Sequence, residues 1–115
     1  MIEQNHQESP MIAKARVFIR EYQAESISLH RIADTLNVST FYFCKMFKKA
    51  TGLNFTEYVS RVRVEKARNL LLNPNLRISE IAYEVGFQSL THFNRVFKKI
   101  TGQSPTDYRS QLAPA

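Results

Sequence analysis

Apolar residues recur at intervals of three and four along most of the chain, the spacing that places them on one face of an α-helix. In the first such segment, which begins at Ser9-Pro10, the apolar face consists of Met11, Ala15, Phe18 and Tyr22. Seven segments carry this pattern, and none shows the sustained polar–apolar alternation of a half-buried strand. The sequence therefore predicts an all-α fold of seven helices.

Residues that commonly begin and end helices divide these segments. Serine is a favoured N-cap residue, and Ser28, Ser39 and Ser89 stand before the predicted second, third and sixth helices. Glycine is the usual residue in the left-handed conformation that ends a helix, and the third and sixth segments are followed by Gly52 and Gly102. Ser104-Pro105 opens the seventh helix in the same way as Ser9-Pro10 opens the first.

The fourth helix is predicted to be the longest. Asn54 and Glu57 have the spacing of a capping box, in which each side chain bonds to the backbone of the other residue. The apolar stripe of Tyr58, Val62, Ala67, Leu70 and Leu71 follows. We expect this helix over 54–73, because Pro74 cannot continue it.

The second half of the chain repeats the first. Nine residues are identical to the residue 50 positions later: Ser39/Ser89, Phe43/Phe93, Phe47/Phe97, Lys48/Lys98, Lys49/Lys99, Thr51/Thr101, Gly52/Gly102, Thr56/Thr106 and Tyr58/Tyr108. Upstream, Ile32-Ala33 matches Ile81-Ala82 at an offset of 49. The extra residue between Val85 and Ser89 implies a loop there. The chain therefore contains two copies of one supersecondary unit.

Each copy has the features of a helix-turn-helix. A small residue in its first helix permits close crossing, and a residue four positions later tolerates left-handed backbone. These are Ala33 and Asn37 in the first copy, and Ala82 and Gly86 in the second. Val38 and Phe87 follow as apolar plugs. The second helices then direct inward the apolar residues Phe43, Met46, Phe47, Phe93, Val96 and Phe97.

Positive charge is concentrated in the same two windows. The chain of 115 residues has 16 Lys+Arg and 10 Asp+Glu, a formal net charge of +6. Residues 39–56 contain Lys45, Lys48 and Lys49 and no acid, and residues 86–106 contain Arg95, Lys98, Lys99 and no acid. Charge runs are often solvated helix faces, but two matched acid-free windows on a repeated helix-turn-helix favour an anionic partner, double-stranded DNA.

The predicted fourth helix has a length suited to two DNA-reading helices. About 18 residues at ~1.5 Å per residue give ~27 Å, and major-groove faces on one side of B-DNA recur every ~34 Å. With the helix radii added, one monomeric chain can present two reading helices one DNA turn apart. The expected site is two dissimilar elements rather than a palindrome.

Other functional classes find little support. One cysteine, Cys44, and three scattered histidines offer neither a disulfide nor zinc-ligand spacing. Three glycines form no phosphate-binding loop. No nucleophile–base or carboxylate pair suggests an enzyme, and no cofactor or metal is implied. The chain also lacks an apolar run long enough to span a membrane and a secretory signal, so we expect a cytoplasmic protein.

Two stretches resemble the C-terminal DNA-binding domain of the AraC/XylS family of bacterial transcription regulators. They are IADTLNVSTFYFCKMFKKATGLNFTEYV and ISEIAYEVGFQSLTHFNRVFKKITGQSPTDYR. The second fits the family pattern I-A-x-x-x-G-F, F-x-R-x-F-K-x-x-x-G-x-x-P and Y-R. The resemblance covers about residues 10–112. It implies subdomains at 10–53 and 76–112 joined by helix 54–73, with a flexible leader at 1–9 and a tail at 113–115.

The resemblance also implies that the third and sixth helices enter major grooves. Carried over by position, the base-reading residues are Phe41, Cys44, Lys45, Leu90, Thr91, Asn94 and Arg95. Contacts to the DNA backbone are assigned to Ser39, Thr40, Lys48, Lys49, Ser89, His92, Lys98 and Lys99. The alternatives to these DNA contacts are structural roles: helix caps for Ser39 and Ser89, a small filler for Cys44, and surface charge for the lysines.

The function predicted is that of a sequence-specific DNA-binding transcription regulator, an activator, with RNA polymerase as a second partner. The alternative is a helical interaction module that docks an acidic protein without reading DNA. Family members often carry a sensing domain, which is absent from this sequence. We therefore expect either a free-standing short member or, in preference, a fragment of a longer regulator that dimerises through the missing domain.

Overall fold

The computed structural model describes residues 8–22 and 27–112. Within them the chain forms seven α-helices and no strand, which confirms the all-α prediction. The predicted tail, 113–115, and all but the last two residues of the predicted leader lie outside the described residues. The helices are α1 (Pro10–Tyr22), α2 (Leu29–Thr35), α3 (Thr40–Thr51), α4 (Phe55–Leu70), α5 (Ile78–Glu84), α6 (Leu90–Thr101) and α7 (Pro105–Leu112).

The described chain divides into two compact units. Unit 1 comprises residues 8–22 and 27–59, and unit 2 comprises residues 60–112. The division falls within α4, so the first turns of this helix belong to unit 1 and the remainder to unit 2. The helix expected to join two subdomains is therefore itself a part of both cores.

Unit 1 has an aromatic core built by α3 and the start of α4. Phe43 and Phe47 are fully buried, with ring centroids 5.3 Å apart. The Phe55 ring packs edge-on against Phe47 at 5.9 Å, and the Tyr58 ring does so at 5.0 Å. Edge-to-face contacts of this kind add to the free energy gained by burying the rings.

The buried face of α1 differs from the predicted one. Ile12, Ala15 and Ile19 are at most 2% exposed, whereas Met11 and Phe18 are half-buried and Tyr22 is exposed. Of the four residues expected inward, only Ala15 is fully buried. The helix is apolar on more than one side, so the contact surface of the neighbouring helices selects which stripe is covered.

Unit 2 repeats this arrangement. Its buried core consists of Val64, Ala67, Leu71, Ile81, Ala82, Val85, Phe87, Phe93 and Phe97. The Phe97 ring lies 5.5 Å from that of Tyr108, as Phe47 lies 5.0 Å from Tyr58 in unit 1. The aromatic pairs identified as sequence repeats thus have equivalent packing roles.

The structure extends the repeat to α1 and α4. The buried residues of α1 have intervals of three and four, and α4 and its end provide the same intervals through Val64, Ala67 and Leu71. The offset here is 52 residues instead of 50, and Lys14-Ala15-Arg16 recurs as Lys66-Ala67-Arg68. The flanking buried residues are not identical, Ile12 and Ile19 against Val64 and Leu71, so the match is short and out of register with the other repeat. Each unit therefore places one further helix beneath its helix-turn-helix.

The fourth helix ends three residues earlier than predicted. Its last residue is Leu70 rather than Asn73. The Leu72 and Asn73 amides donate to the carbonyl oxygens of Asn69 and Leu70, at 3.2 and 3.1 Å, so the chain tightens into turns with i to i+3 bonds. Pro74 disfavours a helical conformation at the residue before it. Among the described helices, none is long and apolar enough to cross a membrane.

Candidate nucleic-acid interface

The two turns have the left-handed residues that the sequence predicts. Asn37 has a φ of 60° and Gly86 has a φ of 107°. In each case the next amide donates to the carbonyl of the alanine in the preceding helix, from Val38 to Ala33 and from Phe87 to Ala82, both at 3.0 Å. The two turns thus share a left-handed residue and the hydrogen bond that follows it, while the second turn has one residue more, Gln88, before its serine.

The two helices predicted to read DNA, α3 and α6 (hereafter the reading helices), also begin and end alike. Ser39 Oγ accepts a hydrogen bond from the Tyr42 amide at 3.1 Å, and Ser89 Oγ accepts one from the His92 amide at 3.0 Å. Gly52 and Gly102 end the helices with φ values of 81° and 87°. These observations confirm the predicted cap roles of both serines and both glycines.

A threonine at the end of each reading helix was not assigned a role from sequence. Thr51 Oγ1 lies 2.9 Å from the Phe47 carbonyl and accepts a hydrogen bond from the Leu53 amide at 3.1 Å. Thr101 makes the equivalent pair of contacts. The threonines tie the helix end to the start of the next segment, which accounts for their identity in both copies.

The exposed side of α3 combines cations with an aromatic ring. Phe43 and Phe47 cover the inner side, while Lys45, Lys48 and Lys49 are exposed. Phe41 is 79% exposed, and Thr40 and Cys44 are half-buried. The neighbouring Tyr42 is also exposed, although sequence reasoning gave it no role in the site.

The exposed side of α6 is more polar. Its exposed residues are Thr91, His92, Asn94, Arg95, Lys98 and Lys99. Leu90 differs from this set, because it is half-buried and packs against the core of unit 2. The His92 ring lies 5.5 Å from that of Phe87 in an edge-on contact, so it also supports the turn.

The cations of both reading helices form no salt bridge in the part of the chain that the structure describes. There, the recorded ion pairs are those of Arg16 with Glu8 and Arg68 with Glu65, and neither lies on a reading helix. No residue of α3 or α6 is acidic. Each helix therefore presents a positive surface to a polyanion.

The basic residues of α4 are partly used inside unit 2. The Arg68 guanidinium lies 3.4 Å from Glu65 and 5.8 Å from the Tyr108 ring centroid. Arg63 lies 5.8 Å from the Phe87 ring centroid, and burial lowers the pKa of its guanidinium from the ordinary value. Arg61 is exposed. A structural role thus accounts for Arg63 and Arg68.

No group of three potential metal ligands occurs among the described residues. Cys44, the sole cysteine, is a half-buried free thiol on α3.

Residues 32–111 match a family model described as a helix-turn-helix domain. The chain is similar to the Msm operon regulatory protein of Streptococcus mutans, with 34% identity over 110 residues that cover 96% of this chain and 40% of that protein. The chain thus spans about two fifths of the length of this curated relative.

Solved structures of regulators have the same fold. The C-terminal domain of AraT, a response regulator from Geobacillus stearothermophilus, has a TM-score of 0.87 and 36% identity, covering 93% of this chain and 89% of that one. A Chromobacterium violaceum regulator with an AraC-type DNA-binding domain has a TM-score of 0.84 and 27% identity, covering 90% and 93%. The AdpA DNA-binding domain, solved with a target DNA, has a TM-score of 0.83 and 25% identity, covering 90% and 93%.

The matched residues include both turns, both reading helices and the whole of α4. The duplicated helix-turn-helix, the family model and the likeness to regulators of this type agree, and the chain belongs to the AraC/XylS family of helix-turn-helix transcription regulators.

Proposed function

We propose that the chain binds double-stranded DNA sequence-specifically and regulates transcription as an activator, with α3 and α6 in successive major grooves. The observation that carries this proposal is the duplication of one surface. In each unit a serine-capped helix follows a left-handed turn, buries two phenylalanines and exposes three cations with no acid on the helix. The likeness to the AdpA domain, solved with a target DNA, supports it.

The proposed division of roles follows position and exposure. Residues near the N-terminus of a reading helix contact base edges in helix-turn-helix complexes. We assign base contact to Phe41, Cys44, Lys45, Leu90, Thr91, Asn94 and Arg95. Since Leu90 packs against its own core, it has less surface to offer than the others. Arg95 and Asn94 have the strongest chemistry for reading, because each can form two hydrogen bonds to one base, guanine and adenine respectively.

Contacts to the sugar–phosphate backbone are proposed for the second set of residues. Lys48, Lys49, Lys98 and Lys99 supply charge without base information. Ser39, Thr40, Ser89 and His92 lie at or near the starts of the two helices, where phosphate oxygens are favoured. The subdomains proposed are 10–53 and 76–112, with α4 between them.

The proposal also covers the partner and the location of the whole protein. An activator acts through RNA polymerase, and the proposed location is the cytoplasm, where bacterial DNA lies. The domain itself is proposed to bind as a monomer, since it already carries two reading helices.

Selection of sites from random duplexes, followed by footprinting, tests the proposal. We expect two protected elements about one DNA turn apart. Binding measured at several salt concentrations should give a log–log slope of about −5 to −7, the value for ~6–8 phosphate contacts. Equal affinity for selected and random duplexes would contradict specific reading, and a salt-independent affinity would contradict DNA binding as such.

A further inference from the structure

The two reading helices differ at the positions that face outward. Phe41, the second residue of α3, is 79% exposed, more than any other large apolar side chain that the structure describes. The residue 50 positions later is Thr91, which is exposed and carries a hydroxyl group. One copy therefore offers an aromatic ring where the other offers a small polar side chain.

The same two helices also differ in their hydrogen-bonding side chains, which are more numerous on the exposed side of α6. Asn94 and Arg95 of α6 correspond to Cys44 and Lys45 of α3. Residues 40–45 contain no Arg, Asn or Gln, and Lys45 is the residue among them that can pair with guanine. The α3 helix thus lacks the side-chain amide with which α6 can recognise adenine.

Phe41 lies on the cationic side of α3 rather than at its buried side. Residues four and seven positions later, Lys45 and Lys48, share its helix face, and both are exposed. The unit 1 core is formed by other aromatic rings, Phe43, Phe47 and Phe55. A cationic contact with DNA on this face would accordingly bring the Phe41 ring against the groove.

Leu90 is the apolar residue assigned to base contact in α6, and its side chain packs against the core of unit 2. Apolar surface available to DNA is therefore concentrated on α3. In the major groove, thymine is distinguished by its C5 methyl group, which apolar side chains contact.

We infer that the Phe41 ring recognises the C5 methyl group of a thymine, so that α3 adds to its element an apolar contact that the exposed polar side chains of α6 do not make. This inference rests on the proposed function, because it needs α3 in a major groove. Removing one methyl group from water accounts for a factor of about four in affinity. The preference at this position is therefore modest and depends on shape rather than on hydrogen bonding.

The test replaces thymine by uracil, which removes only the methyl group. Each thymine of the selected site is replaced in turn, and binding of the full 115-residue chain is measured at one salt concentration. We expect one position in the α3 element at which the affinity falls about fourfold. Replacing this T·A pair by 5-methylcytosine·guanine should give tighter binding than cytosine·guanine by a similar factor, since the methyl group is kept.

Three variants connect this effect to one side chain. Phe41→Ala should bind thymine and uracil duplexes equally, and Phe41→Leu should retain a part of the difference. Tyr42→Ala removes the neighbouring exposed ring and should retain the full thymine-to-uracil ratio. Because Phe41 is so exposed, thermal unfolding of Phe41→Ala should match that of the parent, which separates a binding effect from a folding defect.

The outcomes separate this inference from the proposed function. If the chain prefers the selected site but no uracil replacement in the α3 element changes its affinity, Phe41 does not read a thymine methyl group. The same conclusion follows if Phe41→Ala keeps the thymine-to-uracil ratio. If the chain prefers no site at all, the proposed function itself is wrong.

Discussion

Arg16 in α1 donates a 2.8 Å hydrogen bond from Nη1 to the hydroxyl of Tyr58 in α4, and its guanidinium carbon lies 5.4 Å from the centre of that ring. Its Nε donates to the Glu8 carboxylate at 2.7 Å, and the hydrogen bond to Glu8 is the main cause that raises the pKa of Arg16. Arg68 and Tyr108 form the counterpart in unit 2, at 5.8 Å. Both copies therefore use an arginine–tyrosine contact to hold the helix before the helix-turn-helix.

Tyr58→Phe should lower the free energy of unfolding by about 1 kcal/mol, because it removes one hydrogen bond and keeps the ring against Phe47. Urea denaturation followed by circular dichroism measures the change. Tyr108→Phe is the matched control, since no hydrogen bond of the Tyr108 hydroxyl occurs among the described residues. Equal losses for the two variants would show that the Arg16 hydrogen bond contributes nothing.

The turn residues give a second prediction. Gly86→Ala should destabilise the protein by about 1–3 kcal/mol, because a φ of 107° lies outside the regions that alanine readily adopts. Asn37→Ala should cost about 1 kcal/mol, since a φ of 60° is within the left-handed region. Thermal and urea unfolding measure both, with Asn37→Gly as the control that keeps the conformation accessible. A neutral Gly86→Ala variant would contradict the turn geometry.

Ser89 provides a way to separate folding from DNA binding. Ser89→Ala should lower stability by about 1 kcal/mol through loss of the cap to the His92 amide. Ser89→Asp should retain the cap, because aspartate is also a good N-cap residue, yet weaken DNA binding through repulsion from phosphate. Unfolding curves and duplex binding are measured on the same preparations. Unchanged affinity in Ser89→Asp would place this helix start away from the DNA.

Arg95 and Lys98 should differ in what their loss does to specificity. Arg95→Ala should relax the preference at one base pair, with a discrimination of about 1–3 kcal/mol lost there. Lys98→Ala should weaken binding to all sequences alike and reduce the salt slope by about one. Competition binding against a panel of single-base variants of the selected site measures both. If both variants lose affinity equally on every duplex, Arg95 is a backbone contact.

The local structure of the candidate interface could largely be predicted from the sequence, because the residues that determine it act on nearby backbone. Serine caps, the left-handed residues Asn37 and Gly86, and the helix-ending glycines act on backbone within a few residues of themselves. The buried phenylalanines of α3 and α6 follow from helical spacing. The individual DNA contacts stay predictions.

Contacts between distant segments were not predictable in the same way. Arg16 and Tyr58 are 42 residues apart, and no short-range pattern pairs them. By contrast, the half-burial of Leu90 could have been read from helical spacing, because Leu90 precedes the buried Phe93 and Phe97 by three and seven residues.

The sequence by itself determined seven helices, two copies of a helix-turn-helix and two acid-free cationic faces, since caps, turns and helical periodicity are encoded in neighbouring residues. Only the tertiary structure decided that Ile12, Ala15 and Ile19 form the buried stripe of α1 and that α4 ends at Leu70. A helix with apolar residues on several sides has no preferred face until another surface covers one of them, because burial is a property of two packed surfaces.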